Sequence, residues 1–143
     1  MNPAIPSFIV RQAFPAPPRH VFDAWVDPAV ASRWLFATPD GHIVRCDIDP
    51  RPGGNFVITD RRGGENVEHH GRFLEIDPPR RLAFEFSVPK YSSEVTIVRI
   101  EVAPAEGGCE LTLEHEGVPP EWRESTEQGW RDLLAKLEGV LRT

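Results

Sequence analysis

From Gly41 to Glu116 apolar and polar residues alternate with a period of two, and from Trp130 onward the period becomes helical. The alternating region divides into six strand candidates: His42–Asp49, Asn55–Asp60, Val67–Asp77, Arg81–Ser87, Glu94–Ala103 and Cys109–Glu116. The segments between them (RPGG, RRGGEN, PPR, VPKYSS and PAEGG) are too short for a crossover, so successive strands pair antiparallel as a meander. Ahead of them Ser7–Phe14 (SFIVRQAF) reads as a further strand, which makes seven. Pro15 to Pro18 stop it, because proline gives a ladder no donor and suits the first turn of a helix. Val21, Phe22 and Trp25 follow at helical spacing, and Asp27 caps a second short helix, Pro28 to Arg33, that turns Val30 and Trp34 inward.

Pro119-Pro120 introduces the last helix, whose residues Trp130, Leu133, Leu134, Leu137, Val140 and Leu141 fall on one stripe. Arg131, Asp132, Lys136, Glu138 and Arg142 occupy the opposite side. Ser125 with Gln128 would make an internal capping box, so the helix starts late or bends there. The pattern predicts an α+β chain: one long helix across a curved seven-stranded antiparallel sheet, with two short helices after the first strand. No repeat or linker divides it, so one domain over residues 1–143 is expected, with residues 1–6 a flexible end.

Composition narrows the functions. A formal charge of −6 argues against general binding to a phosphate backbone, so nucleic acid is not an expected partner. Cys46 and Cys109 lie on separate strands outside any CxxC pair and read as buried reduced thiols. The N-terminus carries no basic region leading into an apolar run, and no window is long enough to span a bilayer, so the expected address is the cytoplasm.

Local motifs narrow the fold. VFDAWVDPAVASRW (Val21 to Trp34) followed by RPGG (Arg51 to Gly54), then GRFLEIDPPRRLAFEF (Gly71 to Phe86), LTLEHEG (Leu111 to Gly117) and GWRDLLAKL (Gly129 to Leu137) occur in that order. Together they resemble the family named after the activator of the heat-shock protein 90 ATPase, within the START-like or polyketide-cyclase-like superfamily. The resemblance spans the chain from Ser7 onward and implies a helix-grip fold. It also implies a stress-response role by way of the named co-chaperone. Other relatives carry lipids, bind antibiotics or cyclise polyketides, so fold alone does not choose among activities.

If the helix stripe faces the sheet, a ligand would sit between them. Phe84 and Phe86 share a face with Leu82, and Trp34, Phe36, Trp130 and Leu134 would meet that face, as ligand walls or simply as core. His69 and His70 point to opposite faces, so only one reaches the cavity. His70 shares parity with Arg72 and Leu74, which would place a polar His70–Arg72 pair inside to orient a ligand's acid or carbonyl group. The competing register leaves that pair outside in water beside Glu68. Glu94 continues the inward face of Thr96 and Val98 toward the cavity's open end, against a solvated position at a frayed strand end. Arg45 and Asp47 read as a surface pair, and His115 as a satisfied structural histidine against the last helix.

No GxSxG, GxxxxGK[ST], HExxH or paired-cysteine spacing occurs, and the glycine pairs join strands rather than open helices. No metal or cofactor is therefore expected, and no catalytic residue is assigned. Three functions follow: a binder of a small apolar or amphipathic ligand, a chaperone-interacting module, or a cyclase- or hydrolase-type enzyme using cavity acid–base groups. An exposed sheet edge leaves both monomer and homodimer open.

Overall fold

The computed structural model describes residues 6–142, so all but Pro6 of the expected loose end lies outside the described residues. In chain order the elements are β1 (Ser7–Phe14), α1 (Pro18–Val26), α2 (Pro28–Ala31), β2 (His42–Ile48), β3 (Asn55–Arg62), β4 (Glu65–Asp77), β5 (Arg81–Ser87), β6 (Thr96–Ala105), β7 (Gly108–Glu116) and α3 (Pro120–Leu141). The strands form one antiparallel sheet in the order β1-β7-β6-β5-β4-β3-β2. This is the α+β helix-grip arrangement that the residue pattern predicts: a curved sheet holding a long C-terminal helix.

Alternation decides which face closes. Phe8 and Val10, Phe56 and Ile58, Phe73, Leu82 and Phe84, Val98 and Ile100, and Leu111 and Leu113 all turn toward α3 and are buried. Register breaks between Ile43 and Arg45 and between Phe73 and Glu75 mark bulges, which bend a strand and increase its twist. The turn between β3 and β4 uses Gly63 and Gly64, both at positive φ (57° and 81°), as a two-residue hairpin requires. The ladder consequently runs on to Arg62 opposite Glu65, two residues beyond the expected strand end at Asp60.

The last helix runs unbroken from Pro120, with proline in its first turn where the missing N–H costs nothing. The Ser125 hydroxyl donates to the Trp122 carbonyl at 3.1 Å, so Ser125 lies within the helix rather than capping a new start. Trp130, Leu134 and Leu137 are its buried residues, and the Gln12 amide donates to the Leu134 carbonyl at 3.2 Å, tying β1 to its middle. On the sheet's opposite face Arg45 and Asp47 form an exposed pair at 2.6 Å. Cys109 is buried and Cys46 half-buried, and both are free thiols.

Leu134 is fully buried between α3 and the sheet. Truncation to alanine there forfeits the side chain's transfer free energy and leaves a cavity, so Leu134→Ala is expected to lower stability by about 2–5 kcal/mol in urea unfolding. A loss below about 1 kcal/mol would show that the helix is not gripped at this point.

Candidate functional site

Sheet and helix part company at one end. Where the lower half of α3 carries Leu134 and Leu137, its upper half presents Ser125, Thr126 and Gly129, too short to reach the strands. The resulting open cleft has a volume of about 670 Å³. Trp130, Leu133 and Lys136 continue the helix wall, and the segment Phe36 to Pro39 forms one side. Arg62 of β3, His69 of β4 and Phe86 of β5 make the sheet side, and Val88 and Tyr91 lie at the edge.

The aromatic floor is ordered by Phe36. Its backbone sits at φ 64°, which a non-glycine residue rarely adopts and which costs on the order of 1–3 kcal/mol. In that conformation its ring lies parallel to His69 (centroids 4.6 Å, 2°) and nearly so to Phe86 (5.0 Å, 16°). Its edge contact with Trp130, at 5.8 Å and 61°, closes the corner between sheet and helix. The segment is held from behind by Asp60, which is fully buried. Asp60 Oδ2 accepts from the Thr38 backbone N–H (3.2 Å), the Thr38 hydroxyl (3.0 Å) and Arg62 Nε (2.8 Å).

Two buried histidines are held differently. The Trp130 indole N–H donates to His115 Nδ1 at 2.9 Å, so the ring proton must reside on Nε2. Nε2–H then donates to Thr96 Oγ1 (2.7 Å), whose own hydroxyl donates to the Phe86 carbonyl (3.3 Å). Burial pushes the His115 pKa down to about 4. A second ring proton would also set two donors facing each other at Trp130. For His69 the proton lies on Nδ1, because its partner at 3.2 Å is the Ile58 carbonyl, which can only accept. Burial foremost, with the nearby Arg62 charge also contributing, lowers its pKa to about 4.

Of the expected cleft residues, Phe36, Phe86 and Trp130 line the opening. Trp34, Phe84 and Leu134 are core instead. Trp34 donates its indole N–H to the Ala24 carbonyl (3.0 Å) and meets Trp25 edge-on, while Phe84 packs among Trp25, Phe56 and Phe73. His70 and Arg72 stand on the opposite face of the sheet, where His70 meets Glu68 at 2.8 Å and Arg72 approaches Glu85 at 4.0 Å. Their placement inside rested on shared parity with Leu74, but Val67, His69 and Phe73 are the inward residues of β4, and Leu74 is 46% exposed on the outer face with His70 and Arg72. Glu94 is exposed and precedes β6, which starts at Thr96; its backbone N–H donates to the Ser92 hydroxyl oxygen at 3.0 Å.

On the sheet side of the cleft, Arg62 and His69 are the polar residues that the sequence reading did not assign. The signal for His69 was its parity with Phe73, and for Arg62 the two-residue length of a Gly-Gly hairpin. Among the described residues no three His, Cys, Asp or Glu side chains gather as a metal ion would require, and no helix is long and apolar enough to cross a membrane.

A curved sheet gripping one C-terminal helix beside an aromatic cleft defines a START-like protein. The chain belongs to the family described as activator of Hsp90 ATPase homolog 1-like protein, whose model matches residues 15–142. Among solved structures, a Chromobacterium violaceum protein is similar at 24% identity and TM-score 0.86, over 96% of this chain and 98% of its own. A Rhodobacter sphaeroides protein is similar at 25% identity and TM-score 0.83, over 95% and 91%. CalU16 from Micromonospora echinospora is 28% identical with a TM-score of 0.71, over 94% of this chain and 74% of its own. No curated protein matches the chain.

The two histidines yield a pH dependence of definite sign. Each is neutral in the folded chain down to about pH 4, whereas in the unfolded chain it protonates below its ordinary value near 6.5. Their stabilisation is therefore complete above about pH 6.5 and is lost as pH falls toward 4. Unfolding free energy is expected to drop by about 2 kcal/mol per histidine between pH 7 and pH 5. In His115→Phe the slope over that interval should fall by about half; an unchanged slope would mean that His115 is not held neutral.

Proposed function

We propose that the chain is a small-molecule-binding protein that takes an apolar or amphipathic ligand in the cleft between the sheet and the upper half of α3. The observation that carries this reading is the cleft's construction, with an aromatic floor of Phe36, Phe86 and Trp130 facing a helix surface reduced to Ser125, Thr126 and Gly129. A volume of about 670 Å³ falls within the range of small-molecule sites, which are mostly apolar with a few placed polar groups. The helix spends stability on that space, since glycine in a helix interior costs about 1 kcal/mol relative to alanine.

His115 favours binding over catalysis. Both ring nitrogens of His115 are engaged, one by Trp130 and one by Thr96. A general acid or base instead needs a ring nitrogen within reach of the proton it moves.

A Cβ added at Gly129 meets nothing within 4 Å, so a larger side chain there starts in the open space of the cleft. Native mass spectrometry of freshly purified protein is expected to show an added mass that is absent after denaturation. Gly129→Phe should lose that mass and keep its melting temperature within a few degrees of the native chain. Retention of the same bound mass by a folded Gly129→Phe would refute the cleft as the binding site.

A further inference from the structure

We propose that the cleft selects an amphipathic anion, receiving a carboxylate or equivalent oxyanion on Arg62 while a flat apolar body lies along Phe36, Phe86 and Trp130. This rests on the reading of the cleft as a ligand site and names the chemistry of its occupant.

Arg62 is the last residue of β3, on the strand face that also carries Asp60 and Ile58. Its side chain is 27% exposed, and it borders the cleft. Asp60 Oδ2 holds Nε at 2.8 Å, while Nη2 reaches the Phe36 carbonyl at 3.5 Å. A guanidinium has five N–H donors in a rigid planar fork, so these two contacts leave donors for an acceptor in the cleft. Because Asp60 is fully buried and also fastened to Thr38, the fork is fixed in orientation before any ligand arrives. Such a fork matches a carboxylate in geometry as well as charge.

Asp60 already offsets the Arg62 charge, so the preference comes chiefly from directed hydrogen bonds rather than from a general positive field. Farther out, Lys136 and Asp132 both line the cleft, and Asp132 accepts from the Gln128 amide at 2.9 Å. The apolar part of the ligand is read from the rings. Phe36 stacks on both His69 and Phe86, and the three rings lie within 16° of parallel, so a flat ring laid against this stack shares its orientation where a bulky saturated one cannot.

The test compares 2-naphthoate with 2-naphthamide, which share a body and differ in the charge of the polar end. Each is titrated by calorimetry into the native chain and into the double variant Asp60→Asn/Arg62→Gln. The double variant is used because Arg62→Gln alone would strand a buried carboxylate. The native chain should bind naphthoate at least about tenfold more tightly than naphthamide, as a charge-assisted hydrogen bond provides. In the double variant the two affinities should be equal. In the native chain, the Arg62 Nε–H NMR signal should shift with naphthoate and not with naphthamide, which keeps the test decisive if the double variant does not fold. Equal native affinities, or a preference that survives in the folded double variant, would overturn the anion assignment and leave the cleft as a ligand site. Binding of neither probe to the cleft would overturn both.

Discussion

The structure depends most on how α3 is fastened to the sheet, and the hydrogen-bonded chain through His115 does this with direction. Apolar contacts from Leu134 and Leu137 hold the helix down, but such contacts are non-directional and would tolerate rotation or sliding. The relay from Trp130 through His115 and Thr96 to the Phe86 carbonyl links helix, β7, β6 and β5 with a defined sense of donation at each step. Reversing any one step leaves a buried donor facing a donor, which costs more than the bond itself contributes. A neutral imidazole in one tautomer thus fixes where Trp130, beside the cleft, meets the sheet.

That fastening places Trp130 in two roles. One side of the indole packs against Trp25 in the core, and another edge meets Phe36 at the cleft. Core and cleft are therefore continuous, and the boundary between them falls where the helix residues become small. A second fastening, Asp60 to Thr38 and Arg62, holds the segment that carries Phe36. Both devices are polar, both are buried, and both end at a ring that lines the opening.

The fold was legible because long-range alternation and a six-residue helical stripe leave few arrangements open, and short linkers exclude parallel neighbours. The site was only partly legible, and the reasons are local. On β4 the choice between His69 and His70 is a choice of parity, and a one-residue change exchanges every side chain between faces. Leu74 argued for the wrong parity because an apolar residue on an outer face looks like an inner one in sequence, and it stands directly beside the inward Phe73. The histidine and arginine that border the cleft are His69 and Arg62, from two strands, rather than His70 and Arg72 from one. Arg62 was read as turn because RRGGEN looks like a six-residue loop, whereas two glycines at positive φ suffice to reverse the chain. Trp34 and Phe84 were recognised as inward-facing, but burial alone does not separate a wall from the core behind it.

The departures from local preference gather at one place. A non-glycine residue at positive φ, glycine in the interior of a helix, a half-buried arginine beside a buried carboxylate and a histidine held neutral all lie within or directly behind the cleft. Elsewhere, alternation, turn glycines and helix starts agree with the structure they produce. A chain under pressure for stability alone would replace Gly129 with alanine or larger and would fill the space above Trp130 with an aliphatic side chain, gaining both helix propensity and buried area. It carries instead a glycine beside an open volume of about 670 Å³. Clustered local costs beside otherwise consistent structure are the pattern expected where binding, rather than folding, constrains the residues.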